Sequence, residues 1–496
     1  MSMTKEQALV VERLSTPRDG FPHLLTEAVA GSGKTYTLVE GVRALPFSTK
    51  VICTAFNAKV AKELGSRMPR NAHCVTTHKL GLDAWRGRIG NIEVLAGRSR
   101  DDPGKTQRIS EELGITYKMF PGLRQLIGLA KAGGIIPNSF NKEGLMPDTP
   151  QSWQNLMDLH DIECGKEEPI SMARAVLEHS IRWSLEGRVD FDDMLYMPAL
   201  WGAPFPQCDI LMIDEAQDIA PVQRRMFDRM LTMGKKGTRF LAVGDRYQAI
   251  YGFRGADFGS MDEISQTWKP DQLQLSYTFR CGTRIVKEAQ QFVPHIKAKP
   301  GAHEGAVNDY GGNWDAKDFK PGDAILCRTN KPLVAMAFYL IQQGVAAKML
   351  GKEIGKSLIA LVNRMKARDV EDLENKLLDY AHSQSHYLRG KGLHHQAEIL
   401  EDKVDCLLFI IEKTGKGPYQ LKDYLDKLFT DEGGRNIVIL STIHKAKGLE
   451  WDRVWFLNRS GIPGRWAKSE GQIQQEHNLI YVAVTRARNE LNYIEE

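Results

Sequence analysis

Residues 28–35 read Ala-Val-Ala-Gly-Ser-Gly-Lys-Thr, and their flanks decide what they are. An apolar run from Leu24 to Val29 leads in, and Thr35-Tyr36-Thr37-Leu38-Val39 opens a helical pattern on the far side. Strand, glycine loop and helix in that order make a phosphate loop, because loop amides and a helix N-terminus converge on phosphate oxygens. Ala30, Gly31, Ser32 and Gly33 form the loop, and the two glycines let the backbone approach closely. Lys34 is placed to reach the β- and γ-phosphates as a point charge, Thr35 offers a hydroxyl to Mg2+, and Tyr36 follows beside the nucleotide. The strict pattern's first glycine is Ala28 here.

Such a loop calls for a magnesium-holding carboxylate at the end of another strand. Leu211-Met212-Ile213-Asp214-Glu215-Ala216-Gln217-Asp218 supplies one: Asp214 holds the metal through water and Glu215 polarises the attacking water. A further apolar run, Phe240 to Val243, ends in Gly244-Asp245-Arg246-Tyr247-Gln248, where Gln248 can sense the γ-phosphate or orient water. Nucleoside triphosphate hydrolysis is the leading chemistry.

Working outward, short apolar runs recur at Val51 to Phe56, Ile210 to Ile213, Ala324 to Cys327, Ile437 to Leu440 and Val454 to Leu457, followed by helical patterns. That is the rhythm of an α/β fold with parallel sheets. The runs fall into two clusters, each interrupted by a stretch without them. The expected division is a first core at 1–88 and 188–258 with an insertion at 89–187, and a second core at 259–351 and 435–496 with a helical insertion at 352–434. Within the latter, Leu358, Leu361 and Met365, Leu373 and Leu377, then Val404, Leu408 and Ile411 recur at helical steps.

Composition excludes more than it names. The chain has 496 residues, 42% hydrophobic and 26% charged, which is ordinary for a folded protein of several domains. Its 66 basic and 62 acidic residues leave +4, too weak to point to a partner. The longest apolar run, Leu333 to Ile341, is far short of the roughly 20 residues of a membrane helix, and the mean hydropathy is −0.36. Met1 to Glu6 lacks the apolar core of a secretory signal, so the expected setting is intracellular and off the membrane. The 7 cysteines include no close pair, which argues against a zinc ribbon or disulfide framework and for buried free thiols.

Taken in order, these motifs resemble those of superfamily 1 helicases of the UvrD/Rep-like group. The matches are the loop at 28–35, Asp214 to Asp218, Val243 to Asp257 (VGDRYQAIYGFRGAD), Thr442 to Trp451 (TIHKAKGLEW), Tyr481 to Arg488 (YVAVTRAR) and the signature Asp190-Phe191-Asp192-Asp193. They span nearly the whole chain. The resemblance implies two RecA-like P-loop NTPase cores, ATP and Mg2+ as cofactors, and single-stranded DNA and single-strand/duplex junctions as partners, with 3′ to 5′ travel. It further implies that Gln7 reads the adenine edge and that Phe279, in place of a tyrosine, stacks on the base. Arg280 and Arg486 become the arginines facing the γ-phosphate, while Glu450, near Gly448, contacts the ribose. Phe56, Asn57, Thr77, His78, Tyr251, Phe253 and Arg254 become strand contacts, with aromatic faces for bases and polar groups for phosphates. Phe253 stands where the family has tryptophan, and His444 becomes a coupling residue between ATP and DNA. The insertion at 352–434 is smaller than the family's, which leaves duplex gripping and partner binding there open.

The leading expectation is therefore an ATP-hydrolysing DNA helicase. Its rivals are a translocase that strips proteins from single strands with little unwinding, an RNA-directed motor, and a non-catalytic DNA-binding scaffold. The last would require a broken catalytic residue, and Lys34, Thr35, Asp214, Glu215 and Arg486 are all intact.

Overall fold

The computed structural model describes residues 3–17, 19–20, 22–55, 57–97, 103–116, 122–159, 162, 168–233, 237–250, 259–390, 394–430, 436–465, 467–468 and 470–496. The chain divides into two compact units, one of Met1–Ala28 with Gly33–Leu275 and one of Val29–Ser32 with Ser276–Glu496.

The first unit is built on a sheet of six parallel strands. They are β1 (Leu24–Ala28), β2 (Val51–Ala55), β3 (Ala72–Thr76), β4 (Ile210–Asp214), β5 (Arg239–Gly244) and β6 (Asp271–Leu275), in the order β3-β2-β4-β5-β1-β6. Helices cover both faces, so the central strands are buried on both sides and read as continuous apolar runs. Val51 to Ala55 are buried without exception. Val10, Leu38, Val39 and Leu64 lie in the core on one side of the sheet, and Trp85, Ile127, Tyr196 and Phe227 in the larger core on the other.

The first unit runs further than the sequence suggests: it ends at Leu275, not 258. The reason is β6, which pairs with β1 from Leu24↔Asp271 to Ala28↔Leu275. As an edge strand it alternates, Asp271-Gln-Leu-Gln-Leu275, and so escapes a search for apolar runs. Within this unit, residues 89–187 carry helices Lys105–Glu112, Leu123–Gly133, Pro150–Leu159 and Pro169–Leu185, and their ends are tied by the short pair Glu93–Val94 with Arg188–Val189.

Among the described residues, the main sheet of the second unit has seven parallel strands: β7 (Ala306–Gly311), β8 (Ala324–Cys327), β9 (Ala347–Leu350), β10 (Phe429–Thr430), β11 (Val438–Thr442), β12 (Trp451–Leu457) and β13 (Ala487–Ile494). Their order is β7-β13-β12-β8-β11-β9-β10. Between β9 and β10 run helices Lys352–Met365, Val370–Gly390, His394–Thr414 and Pro418–Leu428. Leu358, Leu373, Leu377, Val404 and Ile411 are buried there, in one core with the sheet. The insertion's last strand, β10, joins the sheet by pairing with β9, so residues 429–430 belong to the second sheet and not to the helical insertion. Among the described residues, no helix is long and apolar enough to cross a membrane.

Candidate functional site

The sheet of the first unit sets its chemistry at the carboxyl ends of the strands, where an open α/β fold leaves a crevice. After β1 the backbone turns through Gly31 (φ +70) and Gly33 (φ +77), conformations in which a Cβ is strained. Gly33 then starts the helix Lys34–Arg43. From the first turn of that helix, Lys34 Nζ donates to Glu215 Oε2 at 3.0 Å. Glu215 itself sits at φ +54, an unusual backbone for a side-chain-bearing residue, just past the end of β4.

From Glu215 a line of hydrogen bonds continues inward. Gln217 Nε2 donates to Glu215 Oε2 at 2.6 Å, Asp245 N donates to Gln217 Oε1 at 3.0 Å, and Gln248 Nε2 donates to Asp245 Oδ2 at 2.7 Å. Gln217, Asp245 and Gln248 are all buried. Gln248 is thus no loose loop amide. It is tied to Glu215 through two intermediates, one of which, Gln217, sequence reasoning left without a role. The signal was its place between the two acids of Glu215-Ala-Gln-Asp218. Gly244 makes room for it: a Cβ there would meet Gln217 Oε1 at 2.7 Å.

Electrostatically the cluster is short of positive charge. Burial pulls the Lys34 ammonium down, but Glu215, Asp214 and Asp245 outweigh it and hold it above its ordinary value. Burial, with Glu215 beside it, pushes the Asp214 carboxyl up to about 6, and burial also raises Asp245. Among the described residues no three His, Cys, Asp or Glu side chains are grouped so as to hold a metal ion by themselves, so any cation here would also need oxygens from a nucleotide.

In the second unit, Arg280 pairs with Glu450 and donates from Nη1 to Thr485 O at 2.9 Å. Glu450 also pairs with Arg488, so its carboxylate bridges two guanidinium groups. The geometry therefore adds Arg488 to the set named from sequence. Arg486 is 1% exposed and donates to Val482 O, Leu449 O and Thr485 Oγ1. Burial, with Arg280 nearby, pulls it down to about 9. The tetrapeptide Val29–Ser32 packs with this unit: Ala30 N donates to Tyr481 Oη at 2.9 Å, and the amide of the half-buried Phe279 donates to Gly31 O at 2.8 Å. Tyr481 was another unassigned residue, although it opens the stretch 481–488. His444 is half-buried in the short helix Ile443–Ala446, and Gly448 follows at φ +85.

Other expected site residues are placed less directly. Gln7 is 2% exposed and its Oε1 accepts from Thr4 N, in a capping box that starts the helix Lys5–Ser15. Asn57 is exposed and caps the helix Ala58–Arg67 through Val60 N. Thr77 and His78 open the helix Thr77–Ile89, and burial lowers the His78 imidazole. A cavity of about 400 Å³ brings Thr77 and His78 together with Asp214 and Glu215. The ring of Phe191, 42% exposed, lies edge-on to His78 at 6.5 Å. Phe56, Tyr251, Phe253 and Arg254 lie outside the described residues.

The signature at 190–193 has a structural explanation that sequence alone did not provide. Asp193 accepts from Lys105 Nζ at 2.6 Å and pairs with Lys131 at 2.8 Å, while Lys131 also pairs with Asp190 at 2.7 Å. The side chains of Lys105, Lys131 and Asp193 have no exposure. Burial drives the Asp190 carboxyl up to about 6, whereas the two lysines overcome burial and hold Asp193 below the usual carboxylate range. Removing one partner of such a set strands a buried charge. Lys131→Met is expected to destabilise the protein by about 3–5 kcal/mol, read from urea denaturation; a loss under 1 kcal/mol, the scale of an exposed pair, would show that the set is not tightly held.

Two family models match the chain: the UvrD/REP helicase N-terminal domain over residues 11–269 and the UvrD-like helicase C-terminal domain over residues 401–495. F-box DNA helicase protein 1 of Schizosaccharomyces pombe is 27% identical, with 99% of this chain and 57% of that protein covered. F-box DNA helicase 1 of Gallus gallus is 24% identical, covering 93% of this chain and 46% of that protein. DNA helicase II of Escherichia coli is 22% identical over 58% of this chain and 40% of its own length. The chain spans about half the length of the curated relatives it matches.

Proposed function

Because the chain belongs to the UvrD/REP helicase family, whose N-terminal domain covers residues 11–269 of its 496, we propose that it is an ATP-dependent DNA helicase. It moves along single-stranded DNA from 3′ to 5′ and opens duplex at single-strand/duplex junctions. The observation that carries this reading is the line of contacts from the half-buried Lys34 and Glu215 through the buried Gln217 and Asp245 to Gln248. It supports reading Lys34 as the phosphate-reaching ammonium, Glu215 as the base and Gln248 as the γ-phosphate sensor, because the three belong to one connected set.

In turnover, Ala30 to Tyr36 hold the phosphates, Gln7 and Phe279 hold the adenine, and Glu450 and Gly448 lie by the ribose. Lys34 exchanges its bond to Glu215 for phosphate oxygens, which releases the Glu215 carboxylate to accept a proton from the attacking water. Mg2+, held by Asp214 and Thr35, would offset phosphate charge. Arg280 and Arg486 neutralise charge that develops on the γ-phosphate, their planar forks matching its oxygens. Asn57, Thr77, His78, His444 and the undescribed Phe56, Tyr251, Phe253 and Arg254 hold the strand.

Matched duplexes bearing a 3′ or a 5′ single-stranded tail, with an RNA-tailed control, test the whole reading. ATP-dependent separation of the 3′-tailed DNA duplex alone is expected. Stimulated ATPase that displaces bound protein without separating strands would replace unwinding by translocation, and preference for the RNA tail would overturn the substrate.

A further inference from the structure

Beyond the nucleotide and strand sites, one pair of side chains stands apart from the rest of its chemical kind. Cys53 on β2 and Cys74 on β3 are register partners on neighbouring parallel strands, so their side chains leave the same face of the sheet side by side. Neighbouring strands run about 4.7–4.9 Å apart, inside the roughly 4.4–6.8 Å between Cα atoms that a disulfide spans. Cys74 packs against the core cluster that contains Cys53. Cys53 is also the register partner of Met212, with Sγ 3.6 Å from its Sδ, so three sulfurs line up across adjacent strands.

Access to the two is unequal. Cys53 is 1% exposed in the core, whereas Cys74 is half-buried on the sheet's outermost strand, β3. Over Cys74 the covering helix carries Gly65, where a side chain would start only 3.5 Å from Cys74 Cβ. The contact with Cys53 lowers the Cys74 thiol, while the same contact and burial raise Cys53. Burial raises the thiols of Cys208, Cys281, Cys327 and Cys406. Among the described cysteines, Cys74 is thus the one shifted toward thiolate, and thiolate is the form that reacts with peroxides.

We propose that Cys74 and Cys53 are a modification site for hydroperoxides, closing to a reversible disulfide. The Cys74 sulfur attacks the O–O bond, taking one oxygen as sulfenic acid while the other leaves as alcohol or water. The Cys53 sulfur then attacks the sulfenic sulfur, the S–S bond forms and water departs. Both electrons come from the two thiols, and the peroxide oxygen is reduced. The bridge would lie between the sheet's outermost strand and its neighbour, with Cys74 half-buried, where small thiols can reach and reduce it.

The test uses the full chain, reduced and then exposed to hydrogen peroxide under native conditions, followed by denaturation, alkylation and peptide mapping. Two of the seven thiols should be lost to alkylation and one peptide should join Cys53 to Cys74, lighter by two hydrogens, with both thiols restored by dithiothreitol. Cys74→Ser should keep its remaining thiols through the same exposure, and Cys53→Ala should leave Cys74 as a sulfenic acid trapped by dimedone. Linkage through other cysteines, or Cys74 carried to sulfinic acid in the wild type with no bridge, overturns the proposal. The wild-type map decides the question even if neither variant folds.

Discussion

Lys34→Ala is expected to lower ATP turnover by about a thousandfold, the scale of removing one strong stabiliser of developing charge, while leaving single-stranded DNA binding largely in place. Lys34 is the cation that holds Glu215, and Asp214 and Asp245 also act on it. Without it bound phosphates would lose their point charge, while Gln217 still holds the Glu215 carboxylate. The cost to folding should be modest, because burial and Glu215 push the Asp214 carboxyl up to about 6 even beside Lys34, so the acid cluster can take up a proton once Lys34 is gone. Thermal unfolding of the variant, measured beside steady-state ATPase and oligonucleotide binding, separates the two effects. DNA-stimulated turnover at the wild-type rate would sink the assignment of the phosphate site.

Arg486→Ala should spare ATP binding and cut turnover by about a thousandfold or more, the range seen when a transition-state arginine is lost. The physical ground is the unusual state of the side chain. Its guanidinium is 1% exposed and bonded to backbone carbonyls and a hydroxyl, and burial has pulled it down to about 9. A buried cation of that kind gains most when an anion arrives, so its contribution should fall on the step in which phosphate charge grows. Arg486→Lys keeps the charge and loses the fork; it should recover part of the loss if charge dominates and little if bidentate geometry does. Nucleotide affinity comes from equilibrium binding of a fluorescent ATP analogue, and turnover from phosphate release. A small change in turnover, with affinity lost, would make Arg486 a binding residue only.

Much of this site was legible because its parts are local. The loop at 28–35 and the acids Asp214 and Glu215 each carry strand and helix signals in adjacent residues, so their placement follows from a few positions of sequence. What escaped depends on contacts between distant segments. Gln217 and Gln248 look like surface amides until β4 and β5 lie side by side. The edge strand β6 alternates polar and apolar residues, which hid the true end of the first unit. Lys105 and Lys131 would be taken for solvated lysines, since that residue is rarely buried, and only the folded chain brings both to Asp193. Gln7, expected from the resemblance to read adenine, has its side-chain oxygen accepting from Thr4 N in the capping box that starts its helix.

The lysine–aspartate set bears on how the first unit is organised as an evolutionary object. Lys105 and Lys131 belong to the segment at 89–187, and Asp190 and Asp193 to the chain that returns to the sheet. Neither side can be lost without leaving like charges confined together in a dry interior. An insertion joined to its host only by two exposed linkers can be swapped, trimmed or deleted as a cassette. This one is soldered in. The segment and the sheet should melt together as one cooperative block, and sequence drift at either set of charges is answerable to the other.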